Sequence, residues 1–153
     1  MKRILFTAAT LLWMGMIFSM SAADGEQSGG MSAKVCQWIG RTVHADFDQW
    51  TEVRQQEFVE MMQYPIRKAA HFTEYMILGI LLYLTLRTWG AGRRKAFLLA
   101  LLIGVLYAGS DELHQCFVAD RSGSFLDVLL DSTGVLTGSG ICAWRGLRKH
   151  QQD

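Results

Sequence analysis

Long uncharged stretches alternate with short charged ones along this chain. The first stretch runs from Ile4 to Ala23 and has 20 residues. As a helix rising about 1.5 Å per residue, it would cross the roughly 30 Å hydrocarbon core of a bilayer. Three further apolar segments follow at about residues 69–89, 94–112 and 125–144, and each is long enough to span only with its polar end included. The pattern predicts an all-α, four-helix transmembrane bundle formed by a single domain, residues 1–153.

Residues 24–67, between the first two spans, are more polar but carry a helical pattern. Val35, Trp38, Ile39 and Thr42 recur at three- and four-residue steps, with charged residues between the apolar ones. Such a helix could lie on the membrane surface or cover a site at the outer face, or it could be an ordinary connector packed on the bundle. Each interpretation predicts a helical extracytoplasmic segment between helices 1 and 2.

Composition supports the membrane assignment. Half of the chain is apolar and only 19% is charged, whereas soluble domains average about 25% charged residues. The net charge of +1 gives no indication of nucleic-acid binding, so the expected partner is the lipid bilayer. The three cysteines lack CxxC spacing, and a disulfide between Cys36 and Cys116 is conceivable if both lie outside the cell.

The placement of lysine and arginine predicts the orientation of the spans. These residues fall into three groups that the spans separate: Lys2 and Arg3; Arg87, Arg93, Arg94 and Lys95; and Arg145, Arg148 and Lys149. If the groups are cytoplasmic, both termini are inside and residues 24–67 and 118–124 are outside. A competing interpretation treats the first span as a cleaved signal peptide with a small-residue site at Ser21-Ala22-Ala23, which leaves the other spans oriented as before.

Ionisable residues gather at one end of the later helices. The second span brings Lys68, His71 and Glu74, the third brings Asp111, Glu112, His114 and Gln115, and the fourth brings Asp127 and Asp131, with Arg121 just before it. The predicted topology places all of them in one layer at the outer face. Because ionisable residues cost free energy in a membrane span, their convergence indicates either a functional site or interfacial salt bridges that fix helix packing.

The charges in this layer do not balance. Five carboxylates accompany two cations, which leaves three negative charges uncompensated when the histidines are neutral. In a partly desolvated site such an excess must protonate, bind a cation or stay hydrated. His71 and His114 with nearby carboxylates could ligate a divalent cation, although no HExxH signature is present. Gly134-x-x-x-Gly138 would let a neighbouring helix approach the fourth span closely.

In this order, the polar segments resemble the VanZ-like family of bacterial membrane proteins. The matching segments are Lys68-x-x-His71-Phe72-x-Glu74-Tyr75, Asp111-Glu112-x-His114-Gln115-x-Phe117, Arg121-x-x-Ser124-x-x-Asp127 and Gly134-x-x-x-Gly138. Asp131 departs from the family pattern, which often has asparagine at this position. The resemblance implies a four-helix domain in the bacterial cell membrane. It also implies a link to the cell envelope and to glycopeptide (teicoplanin) resistance, the context from which the family takes its name.

Two hypotheses of different class follow. The first is a membrane-embedded enzyme that acts on a lipid-linked or envelope substrate at the outer face. Its candidate catalytic residues are His71, Glu74, Asp111, Glu112, His114 and Asp127, and its candidate ligand-binding residues are Lys68, Gln115 and Arg121. The second is a non-catalytic protein that binds or shields an envelope ligand, in which the same charges supply recognition only. The sequence contains no serine elbow, phosphate loop or other motif that defines a reaction.

Overall fold

A computed structural model describes residues 1–22, 25–119 and 122–149, without the side chains of residues 25–28 and 146–149. Most of these residues are helical, and none of them lies in a strand. The elements in chain order are α1 (Lys2–Ser21), α2 (Gly25–Val43), a 3-10 turn (Phe47–Gln49), α3 (Glu52–Thr88), α4 (Arg93–Gln115) and α5 (Phe125–Lys149). The predicted all-α fold is confirmed.

Four of the helices in the described part of the chain are long and apolar enough to cross a membrane. They are α1, α3, α4 and the Phe125–Arg145 part of α5. Each of the four apolar segments found in the sequence corresponds to one of them, although the first two predicted segments run one or two residues past the end of the helix. The fold is therefore that of a multi-pass membrane protein.

The second span belongs to a much longer helix than its apolar segment indicates. Helix α3 has 37 residues, which corresponds to about 55 Å at 1.5 Å per residue. It begins after Thr51, whose side-chain hydroxyl accepts a hydrogen bond from the Arg54 amide at 3.4 Å, and it continues through Pro65. The polar first part of α3 packs against α2. Residues 25–67 thus form a helical hairpin next to the bundle.

Aromatic rings hold this hairpin together. The Phe47 ring lies 5.1 Å from the Trp50 ring and 5.5 Å from the Phe58 ring, measured between centroids. Gly40 of α2 lies directly against Phe47, where a β-carbon would collide with the ring. The hairpin therefore has a small apolar core of its own, separate from that of the spans.

Glycines bring α3 and α5 together at backbone distance. A β-carbon on Gly134 would lie 2.5 Å from the carbonyl oxygen of Phe72, and one on Gly138 would collide with the carbonyl of Met76. In return, a β-carbon on Gly79 of α3 would lie 2.5 Å from the carbonyl oxygen of Val135. The close approach that the Gly134-x-x-x-Gly138 pattern predicts is thus made with α3.

Helix α1 completes the bundle by packing against α3 and α4. The indole nitrogen of Trp13 donates a hydrogen bond to the carbonyl oxygen of Glu74 at 2.9 Å, and the Tyr107 hydroxyl donates one to the Met14 carbonyl at 2.6 Å. Ile17, from the next turn of α1, is 2% exposed and belongs to the main core. These contacts place the C-terminal end of α1 beside the ionisable residues of α3 and α4.

Candidate functional site

The ionisable residues of α3, α4 and α5 meet at one end of the bundle, which we call the polar end. Lys68 of α3 forms an ion pair with Asp127 of α5, and both side chains are partly buried. The Glu112 carboxylate interacts electrostatically with this pair and with Asp111. Three separate segments of sequence are therefore joined in one polar layer.

Glu112 holds the loop between α4 and α5 in place. Its side chain is almost fully buried, and its Oε2 accepts a hydrogen bond from the Ser124 backbone amide at 2.7 Å. Gly123 packs so tightly on the Glu112 carbonyl that a β-carbon there would collide with it. No donor among the described residues reaches Oε1 of Glu112. One oxygen of this carboxylate thus fixes the loop, while the other has no described donor.

Asp111 is the most deeply placed of the predicted site residues. It is 2% exposed, and its Oδ2 accepts a long hydrogen bond of 3.5 Å from Gln115. The Tyr75 hydroxyl lies beside this carboxylate without reaching hydrogen-bond geometry. Within the described part of the chain, Oδ1 of Asp111 accepts no hydrogen bond. Desolvated carboxylate oxygens without donors are costly, so this arrangement is typical of ligand sites more than of packing.

His114 faces α1. Its ring stacks on the Phe18 ring with the centroids 4.5 Å apart, and its Nε2 has no hydrogen-bond partner among residues 1–22, 25–119 and 122–149. Position 121 is not among the described residues, so the predicted role of Arg121 lies outside what the structure describes. The prediction that His114 and Arg121 act in the site stays a prediction.

A cavity of about 160 Å³ lies at the polar end between α1, α2 and α3. His71, Glu74 and Asp111 line it, with Ser21 of α1 and Ser32 of α2 beside them. Its apolar wall consists of Ile17, Met20, Met31, Val35, Ile66 and Ala70, and Arg67 lies at its exposed rim. The hairpin helix α2 therefore forms one wall of this cavity, through Met31, Ser32 and Val35. Three of the six candidate catalytic residues meet at this cavity.

Asp131 is the residue that sequence reasoning left out of the site. It is 0% exposed, and no donor in the described structure reaches either of its carboxylate oxygens. It interacts electrostatically with Asp111, Glu112, Asp127 and Glu74 and with the Tyr75 hydroxyl. Its position one turn before Gly134, on the face that packs against α3, was the available signal.

A metal centre is not apparent in the described part of the chain. No group of three or more histidine, cysteine, aspartate or glutamate side chains there has an arrangement that could hold a metal ion.

The three cysteines form no disulfide with one another: Cys36, Cys116 and Cys142 all carry free thiols. The conceivable disulfide between Cys36 and Cys116 is therefore absent.

Fold and site together define a class: an α-helical, multi-pass membrane protein with an acid-rich polar layer at one end of its bundle. A family model described as VanZ/LLP1 matches residues 6–146, nearly the whole chain. The chain belongs to the VanZ/LLP1 family, which confirms the resemblance carried by its polar segments. No curated protein and no solved structure matches it significantly.

Proposed function

We propose that this protein binds a ligand of the bacterial envelope, lipid-linked or free, in the cavity at its polar end, and that this end faces the outside of the cell membrane. The observation that carries the proposal is the cavity itself. A deeply buried carboxylate, Asp111, reaches it beside His71 and Glu74. A polar layer that served only to pack helices would have its buried oxygens paired and no hollow in front of them.

The charge distribution supports the proposed orientation. The opposite end of the bundle carries a group of basic residues, and the guanidinium of Arg3 there donates a hydrogen bond to the Thr88 carbonyl at 2.9 Å. The helix–helix turn between α3 and α4 lies at that end, close to Arg87 and Arg93. Because basic residues next to spans are retained in the cytoplasm, the acid-rich end is expected outside.

Binding is the function that the geometry supports best, and chemistry is the second candidate. A general acid–base reaction requires titratable groups at the ligand, and His71, Glu74 and Asp111 meet that condition. Glu112, His114 and Asp127 do not line the cavity, so their expected contribution is to hold the loop, α1 and α5 in position. The proposed link to glycopeptide resistance rests on the family. We connect the cavity with this resistance through the envelope ligand that the cavity would bind.

The test is a susceptibility assay in a teicoplanin-sensitive bacterial host that expresses the chain. We expect the wild-type protein to raise the minimum inhibitory concentration, and Asp111→Asn and His71→Gln to abolish the increase. Ser110→Ala is the matched control, since Ser110 is an exposed neighbour of Asp111 on the same helix. Membrane abundance is measured for every variant by immunoblot.

Two results would contradict the proposal. If Asp111→Asn and His71→Gln retain the phenotype at normal abundance, the cavity does not bind the relevant ligand. If Glu112→Gln and His114→Gln abolish it while the two cavity variants retain it, the site lies at the loop and α1 instead of the cavity. Wild-type protein with no effect on susceptibility would remove the link to glycopeptides.

A further inference from the structure

A shallow groove on the side of the bundle joins the cavity. It has a volume of about 550 Å³ and runs between α1 and α3, with Trp13, Met16, Thr73 and Ile77 among its walls. Met20, Ala70 and Glu74 belong to both hollows. A molecule could therefore extend from the groove into the cavity without leaving the protein surface.

The groove lies along the parts of α1 and α3 that are apolar enough to span a membrane. Its side of the bundle would therefore face hydrocarbon, and the cavity end would lie towards the interface. In a bilayer, a lipid has the same arrangement, with its chain along the spans and its polar group at the interface. The geometry thus favours entry of a ligand from the bilayer over entry from water.

The cavity floor favours a positively charged polar group. Asp111 is 2% exposed, it lines the cavity, and no donor among the described residues reaches its Oδ1. Glu74 adds a second carboxylate, while the nearby ammonium of Lys68 is held by Asp127. Arg67 is exposed at the rim, further from the groove along α3. A phosphate at the depth of Glu74 would meet like charges, whereas a protonated amine would complement them.

The volume of the cavity limits the size of the polar group that it can bind. The cavity holds about 160 Å³, close to the roughly 150 Å³ of an engineered protein cavity that accommodates benzene. That space accommodates an amine with a few adjacent carbons. It cannot enclose a glycopeptide or a lipid-linked disaccharide.

We propose that the cavity is the polar-group site for a lipid whose polar end carries a protonated amine, and that the alkyl chain of this lipid lies in the groove between α1 and α3. This inference rests on the proposed function, because it assigns a chemical class to the ligand of the same cavity. The amine would donate hydrogen bonds to Asp111 and Glu74. The alkyl chain of the lipid would cover Trp13 and Thr73.

The test uses the full-length protein in phosphatidylcholine nanodiscs. A long-chain primary amine with a spin label on its chain is titrated in, and quenching of Trp13 fluorescence is followed, with Trp13→Phe defining the background. Unlabelled dodecylamine, dodecyl phosphate and dodecanol then compete for the site. We expect saturable quenching that dodecylamine displaces at least about tenfold more effectively than either of the other two.

Variants separate the two parts of the proposal. Asp111→Asn and, as a second variant, Glu74→Gln should each weaken binding of the amine about tenfold. Thr73→Phe should block the groove and weaken binding, whereas Thr137→Phe should leave it unchanged. Thr137 is the matched control because both threonines are exposed on a spanning helix, with the hydroxyl donating to the carbonyl four residues earlier.

Each outcome decides between the alternatives. Equal displacement by dodecyl phosphate or dodecanol would overturn the charge assignment, and an unaltered affinity in both Asp111→Asn and Glu74→Gln would do the same. An unaltered affinity in Thr73→Phe would contradict the placement of the alkyl chain in the groove. If the amine does not bind but Asp111→Asn still abolishes the susceptibility phenotype, the ligand class is wrong and the proposed function stands.

Discussion

Two aspartates on successive turns of α5 have opposite environments. Asp127 is paired with Lys68, whereas Asp131 is fully buried and no described donor reaches either oxygen. A partly buried ion pair contributes little, about 1 kcal/mol at most in typical cases. A buried carboxylate without donors costs more, about 1–3 kcal/mol. The two residues look alike in the sequence, but their replacement by asparagine should have opposite effects.

We therefore expect Asp131→Asn to raise the melting temperature of the purified protein and Asp127→Asn to lower it. The first change replaces a fully buried carboxyl group, which lies among the carboxylates of Asp111 and Glu112, with an amide that cannot ionise. The second leaves Lys68 without its partner. Thermal unfolding in one detergent, at one pH, gives the comparison. A lower melting temperature for Asp131→Asn would mean that its carboxylate has a partner that the described residues do not include.

At the scale of the elements, the contact between α3 and α5 determines where the polar residues meet. Gly134 and Gly138 allow the α5 backbone to lie on α3 near Phe72 and Met76. That contact brings Asp131 against Tyr75 and Asp127 against Lys68. A wider separation of the helices would leave the same residues in the same layer without a common site.

Substitution of these glycines tests the contact. Gly138→Ala should destabilise the protein by about 1–3 kcal/mol, since the new methyl group collides with the Met76 carbonyl and the helices must separate. Gly109→Ala in α4 is the control, because nothing lies within 4 Å of a β-carbon there. The control should be neutral or stabilising, as alanine favours helix more than glycine does. Equal melting temperatures for the two variants would contradict the packing described.

At the scale of the whole molecule, the central question is which end of the bundle faces outside. The native cysteines provide a test. Cys116 is exposed at the polar end, whereas Cys36 of α2 is 0% exposed, and burial raises the pKa of its thiol above the ordinary value. A raised pKa leaves less of the reactive thiolate at neutral pH. The two thiols should therefore differ in reactivity even where both face the same compartment.

We expect a membrane-impermeant maleimide to label Cys116 on intact cells expressing a Cys36→Ser, Cys142→Ser variant. A probe introduced as Gly92→Cys in a background in which Cys36, Cys116 and Cys142 are all replaced by serine should be labelled only after the cells are opened. Cys36 alone should react slowly until denaturant is added. Labelling of the Gly92→Cys probe on intact cells, with Cys116 protected, would reverse the orientation and move the cavity to the cytoplasmic face.

The sequence determined the elements, because apolar length and helical periodicity depend only on neighbouring residues. It identified four spanning segments, a helical segment between the first two, and a common layer for Lys68, His71, Asp111 and Asp127. Its family resemblance is confirmed by the match over residues 6–146. It did not indicate that the second span continues back to Glu52, since the polar first part of α3 forms a helix by packing on α2.

Only the tertiary structure decided which polar residues share a cavity. The cavity is lined by His71, Glu74 and Asp111. Glu112 instead contacts the loop before α5, and His114 stacks on Phe18 of α1. Asp131 belongs to the same polar layer but does not line the cavity. Which side of each helix faces a neighbour depends on the rotation of the helix about its axis. That rotation is set by long-range contacts such as Gly138 on Met76. The sequence thus located the polar end, and the packing of α1 and α2 over α3 made a bounded cavity there.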